Sequence, residues 1–265
     1  MKAVFKTKTR SLLRAMVATD FKIRYQGSVL GYLWSFVRPL TLFVVLYIVF
    51  AKFFKVGADV PYFGVYLLLG IMLWNFIAEA TSSGLSSLVE RGDLIRKVQI
   101  PRYIIVITAV SSAGINLVIN LIVVAVIALI VGVPFNPEAL VAVPLLLVEL
   151  VAMALAFSFL LSVLYVRFRD IKYIWELFLQ VAFYATPIIY PISKIPEKYQ
   201  SWIALSPATQ IIQDMRYVLV TTKTKTSWEI LGFWKGLIPV VSVLILSVAS
   251  YWYFKKRIGS IAEEI

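Results

Sequence analysis

Residues 103–133 read YIIVITAVSSAGINLVINLIVVAVIALIVGV, a run without one charged side chain. A helix needs about 20 largely apolar residues to cross a hydrocarbon layer of about 30 Å, so this stretch predicts a transmembrane helix. Five further stretches meet the same requirement once flanking polar residues are allowed for: Gly31–Phe54, Pro61–Ser82, Ala139–Val166, Tyr173–Tyr190 and Leu231–Phe254. Together they predict an all-α integral membrane protein of one domain, residues 1–265. Residues 1–28 form a cytoplasmic interface helix, 31–254 a bundle of six transmembrane helices and 255–265 a cytoplasmic tail.

Composition agrees. Apolar residues make up 61% and charged residues 15%, against about 45–50% and about 25% in soluble domains. The chain holds no histidine and no cysteine, which excludes Cys/His zinc sites, Ser-His-Asp triads, cysteine nucleophiles and disulfides. The net charge of +12 fits basic loops that hold a polytopic protein in its orientation. With six spans both termini lie on one side, and the segments on that side hold 18 Lys+Arg against 8 on the other. The positive-inside bias therefore predicts a multi-pass protein of the cytoplasmic (inner) membrane with both termini in the cytoplasm.

Before the first span, Phe5, Leu12, Leu13, Met16 and Val17 fall on one side of a helical wheel, with Lys8, Ser11, Arg14 and Lys22 on the other. This pattern predicts an amphipathic helix in the inner interface. Asp20 and Phe21 fit the wheel badly, which predicts a break near Thr19. Between the fifth and sixth spans, Pro187-Ile-Ile-Tyr-Pro191 precedes Trp202–Leu205 and then Ser206-Pro207 with Ala208–Val220. Ser before Pro is a helix start. Apolar helices too short to cross predict re-entrant pieces at the outer face, with Pro187, Pro191, Trp202 and Pro207 marking a candidate outer gate.

Acidic residues inside spans are costly, which singles out Glu79, Glu149 and Glu176, with Asn75, Asn116, Asn120 and Gln180 as neutral company. Helix-to-helix hydrogen bonding and lining of a substrate path are both open to them. Tyr47, Phe50, Tyr66, Glu149, Phe183 and Tyr184 are the channel-lining candidates, while most of the seven tryptophans read as an interfacial belt. No G-x-x-x-x-G-K-[ST] phosphate loop occurs, so any ATP must be bound by another chain. Between spans two and three, Glu90-Arg-Gly-Asp-Leu-Ile-Arg-Lys97 sets both charge signs around Leu94-Ile95. Arg167-Phe-Arg-Asp-Ile-Lys172 is similarly mixed. Short amphipathic pieces of this kind suit docking on a partner.

At these residues the chain resembles the transmembrane subunit of ABC-2 type exporters, in the branch that moves lipid-linked cell-surface polymers such as O-antigen polysaccharide and wall teichoic acid. Arg24-Tyr25-Gln26-Gly27-Ser28-Val29-Leu30-Gly31-Tyr32-Leu33-Trp34 resembles that branch's R-Y-x-x-S-x-L-G-x-x-W pattern. Asp93–Lys97 with Pro101, Arg169-Asp170, Thr186–Pro191 and Ser206–Arg216 follow in the family's order. The resemblance implies a homodimer with two copies of an ABC ATP-binding subunit. ATP and magnesium would sit on that subunit, and no cofactor on this chain, which is a transporter subunit and not an enzyme. It implies coupling to the ATPase through Glu90, Arg91, Asp93, Leu94, Ile95, Arg169 and Asp170. It also implies recruitment of an undecaprenyl-diphosphate head group by Arg14, Lys22, Arg24, Tyr25 and Arg38. An ABC-2 exporter of small lipids or drugs is the alternative, and a polyprenyl-phosphate membrane enzyme a more distant one.

Overall fold

The computed structural model describes residues 11–20, 22, 31–97 and 100–259. Residues 11–20 are helical. Next come a 3-10 turn at Gly31–Leu33, α1 (Trp34–Leu46) running on as a π-helical stretch at Tyr47–Phe53, α2 (Phe63–Glu90) and the short α3 (Gly92–Lys97). After them lie α4 (Tyr103–Val131), α5 (Ala139–Arg167), α6 (Ile171–Ala185), α7 (Glu197–Ala204), α8 (Pro207–Leu219) and α9 (Ser227–Arg257). Among the described residues there is no strand.

Among the described residues, five helical segments are long and apolar enough to cross a membrane: Trp34–Phe53, α2, α4, α5 and α9. The sequence predicts a sixth at Tyr173–Tyr190, yet α6 has only 15 residues, a length of about 22 Å at 1.5 Å per residue. Pro187 is the cause. It drives the preceding residue out of helical space, and Thr186 is extended at φ −80°, ψ 137°. Thr186, Pro187, Ile188 and Ile189 are nevertheless buried, so the chain continues inward as irregular backbone. Such backbone at depth is tolerated where protein covers it.

α2 is the axis of the bundle. It packs chiefly on α4 and α5, α9 packs on α5, and Tyr66–Leu69 and Ile71–Leu73 are all completely buried. α1 is the opposite case, since Pro39 is its only buried residue. Two of the tryptophans assigned to a belt are core residues instead. Trp74 meets Phe183 edge-on at 6.1 Å, and the buried Trp175 donates its indole N–H to Thr81 Oγ1 at 3.0 Å. A buried indole takes a hydrogen-bond partner when one is in reach.

Several local expectations need adjusting. The helical assignment runs through Thr19 to Asp20, because Asp20 has an ion-pair partner rather than a place on the apolar stripe. α8 begins at Ser206-Pro207, with Pro207 at a first-turn position, but the Ser206 side chain makes no capping bond. The strong cap belongs to α9. Thr226 Oγ1 accepts the Glu229 N–H at 3.1 Å, and Glu229 Oε2 accepts the Thr226 N–H at 3.1 Å. This reciprocal pair is a capping box. α9 then kinks at Gly232, whose φ of 73° lies in the region that glycine alone adopts freely.

Candidate functional site

Two regions carry the polar chemistry, one at each end of the bundle. At the end holding residues 186–196, the organising residue is Arg216 of α8, fully buried. Its Nε donates to the Tyr66 carbonyl at 3.0 Å and its Nη1 to the Pro187 carbonyl at 2.6 Å. Nη1 also reaches Gln213 Oε1 at 3.1 Å, and Nη2 donates to the Ile188 carbonyl at 2.6 Å. The guanidinium lies over the Tyr66 ring, and the Tyr66 hydroxyl donates to Gln213 Oε1 at 3.2 Å. One planar cation thus satisfies backbone carbonyls that the proline break at Pro187 leaves without helical partners. Gly70 makes the room, since a Cβ there would overlap Nη2 of Arg216.

Beside it, Asp214 accepts from Gln210 Nε2 at 2.9 Å, from Trp228 Nε1 at 3.1 Å and from the Ser227 N–H at 3.2 Å. This ties α8 to the start of α9. Glu149 of α5 lines the same cavity of about 610 Å³ as Gln210 and Asp214. The remaining oxygens Glu149 Oε1 and Gln210 Oε1 are buried without a hydrogen-bond partner among the described residues. On the rim, Lys194 donates to Asp59 Oδ2 at 2.8 Å, joining the loop after α1 to the gate segment. That hydrogen bond, together with the lysine's charge, holds the Asp59 carboxyl below its ordinary value.

At the opposite end, Arg91 pairs with Asp20, linking the N-terminal helical segment to the end of α2. Both line a cavity of about 590 Å³ together with Ser82, Ser86, Lys172 and Glu176. Of the coupling candidates, Glu90, Asp93, Arg169 and Asp170 are exposed, Leu94 and Ile95 half-buried. Glu90 and Arg91 of that group both line the cavity, and Arg91 is the half-buried one. Arg14, Lys22 and Arg38 are exposed, whereas Arg24 and Tyr25 lie outside the described residues.

The channel candidates do not converge on one surface of the single chain. Tyr47 and Phe50 sit half-buried in the π-helical stretch, and Tyr184 is exposed on α6. Phe183 packs on Trp74, Glu149 faces the α5–α8–α9 cavity, and Tyr66 is inside the core. Of the gate candidates, Pro187 and Pro191 are buried, Pro207 is half-buried and Trp202 is 76% exposed. Glu79 accepts from Asn116 Nδ2 at 2.7 Å, which is helix-to-helix bonding between α2 and α4. Arg216, Gln210, Gln213 and Asp214 are what composition reading misses. The sequence signal for Arg216 is a lone arginine in an apolar stretch that also follows a proline-broken span.

Comparison with known proteins now has a structure to refer to. The ABC-2 type transporter family matches residues 11–220. The chain is 27% identical over 241 residues to an O-antigen export system permease protein RfbA of Klebsiella pneumoniae, covering 91% of this chain and 92% of that protein. It is 26% identical over 258 residues to one of Myxococcus xanthus, covering 97% and 96% respectively. The family match takes in every helix described above except α9, so it extends to the gate segment and the α3 loop alike, and the chain belongs to the ABC-2 type transporters as a membrane subunit.

Proposed function

We propose that this chain is the permease of an ATP-driven exporter that carries a lipid-linked cell-surface polymer, O-antigen polysaccharide or wall teichoic acid, from the cytoplasmic leaflet to the outside. The observation that carries the reading is α3. It is a six-residue helix set between two long membrane-length helices, with Asp93, Arg96 and Lys97 outward and Leu94 and Ile95 half-covered. A helix so placed transmits motion of a docked subunit into α2 and α4. Arg169 and Asp170, exposed between α5 and α6, supply the second contact.

The relatives named as O-antigen export permeases support the polymer as cargo. The chain works as a homodimer with two ATP-binding subunits. The faces left open on α1 and α6, including Val44, Val45, Ile174, Leu177 and Val181, are where the second copy completes the channel. α6 with the buried 186–189 segment makes the sixth crossing, so both termini lie on one side, and the positive-inside bias of the loops supports the cytoplasm as that side. α7 and α8 then form the re-entrant outer gate. Residues 11–20, with Leu12, Leu13, Met16 and Val17 half-buried and Arg14 exposed, lie in the inner interface. Arg14, Lys22, Arg24 and Arg38 attract the diphosphate head group there.

The deciding experiment is purification of the tagged chain from its native membrane in mild detergent. An ATP-binding subunit at one-to-one, with ATPase activity raised by lipid-linked polymer and not by drugs or small lipids, is the expected result. Recovery of the chain alone, under conditions that preserve other membrane assemblies, rejects the reading.

A further inference from the structure

At the end of the bundle that carries α3, a cavity of about 440 Å³ opens between the start of α4 and the last turns of α9. Its wall is apolar, formed by Ile95, Ile100, Pro101, Phe254 and Ile258. Phe254 closes it from below, 2% exposed and set edge-on against Phe159 at 4.8 Å. The rim carries Arg102, the residue immediately before α4, and Lys255 in the last turn of α9. Among the described residues no aspartate or glutamate lines this cavity. Among the described residues neither cation is ion-paired. Tyr103 and Tyr251 stand beside them, and such amphipathic rings are enriched where helices meet lipid head groups.

Each element of this arrangement selects against a class of ligand. A free anion would leave the apolar wall uncovered, and a zwitterionic lipid would bring its own cation towards two others. A hydrocarbon chain attached to a net negative head group satisfies both parts, as basic pockets between transmembrane helices do for acidic lipids. We propose that this cavity binds one anionic phospholipid, its phosphate held between Arg102 and Lys255 and an acyl chain lying along Ile95, Phe254 and Ile258. The lipid then braces the loop that carries α3 against α9, an element outside the region of the family match. Arg102 follows the end of α3 by five residues, so the bound lipid stiffens the connection through which α3 would move α4.

The test uses the purified full-length complex in detergent, titrated separately with phosphatidylglycerol and phosphatidylcholine and read by native mass spectrometry. The wild type retains phosphatidylglycerol and not phosphatidylcholine. Removal of both cations in R102Q/K255Q weakens that retention about 25-fold, taking about fivefold for each basic residue near a lipid head group. The conservative R102K/K255R keeps it, which separates loss of charge from loss of fold. K223Q/K225Q, which removes two cations outside this cavity, leaves it unchanged. Equal retention of the two lipids, or undiminished phosphatidylglycerol in R102Q/K255Q, overturns the assignment. So does displacement of the bound lipid by an undecaprenyl-diphosphate compound at equal concentration, which would hand the two cations to an export substrate. Lipid retention requires neither ATP nor polymer, so its failure and the failure of the export reading are separately visible.

Discussion

Arg216 and Tyr66, 150 positions apart in the chain, are joined twice: the guanidinium carbon lies 3.7 Å from the tyrosine ring centroid, and Nε donates to the tyrosine carbonyl at 3.0 Å. The same guanidinium holds the carbonyls of Pro187 and Ile188. The irregular gate backbone therefore hangs from α2 by one side chain. Removing it leaves buried carbonyls without donors. Arg216→Ala should destabilise the protein by about 3–5 kcal/mol, the range for breaking a buried charged cluster, read as a lower melting temperature in detergent. Arg216→Lys, which has no planar fork, should recover only part of it.

Gly70 and Arg216 should be coupled in the same measurement. Gly70→Ala alone forces the guanidinium aside and should cost about 1–3 kcal/mol. In the Arg216→Ala background the obstacle is gone, so the second substitution should cost close to nothing. Additive penalties would show that the two side chains do not compete for the same space.

Asp20 and Arg91 predict a charge-swap rescue. Asp20→Arg and Arg91→Asp should each lower export by freeing the N-terminal helical segment from the end of α2. The double exchange should restore most of it, with cross-linking between positions 20 and 91 as a direct structural check. Persistence of both defects in the double variant would mean that the two residues act apart.

Coupling through α3 can be separated from assembly. Asp93→Lys combined with Leu94→Ser should leave the complex intact and ATP hydrolysis running while polymer export falls, measured side by side in proteoliposomes. Parallel behaviour of hydrolysis and export in that variant would remove α3 from the coupling path.

The rim pair predicts a pH effect whose sign follows from the depressed Asp59 carboxyl. A group with a lowered folded value adds its stabilisation above the ordinary carboxylate range and loses it as pH falls through the folded value. The difference in melting temperature between wild type and Lys194→Gln should thus hold above about pH 5 and shrink as the pH falls below the ordinary carboxylate range. Asp59 is exposed, so the effect should be small and should fade with added salt.

Much of the architecture was open to a reader of the sequence because lipid imposes a length and a polarity on every crossing. The runs at α4, α5 and α9 meet that demand within about four residues of their helix ends, while α2 continues eight residues beyond the predicted Ser82. α6 was not readable in this way, because hydropathy does not show that the helix stops after 15 residues at Pro187 and continues as buried irregular backbone. The tryptophans show the same limit: hydropathy treats Trp175 and Trp202 alike, yet one is bonded in the core and the other is exposed.

By itself, then, the sequence determined that this is a helical membrane protein without residue-based catalysis by histidine or cysteine, and where most crossings start and stop. Those properties are sums over local residues, and the bilayer reads them locally. Only the tertiary structure decided that Arg216 is a buried tie and not an outer-loop charge, and that Arg91 meets Asp20. It also decided that Arg102 and Lys255 share the rim of one cavity. Each of these depends on which distant helices touch, and a hydrogen bond or a charge pair has no energy until packing brings its two halves within reach.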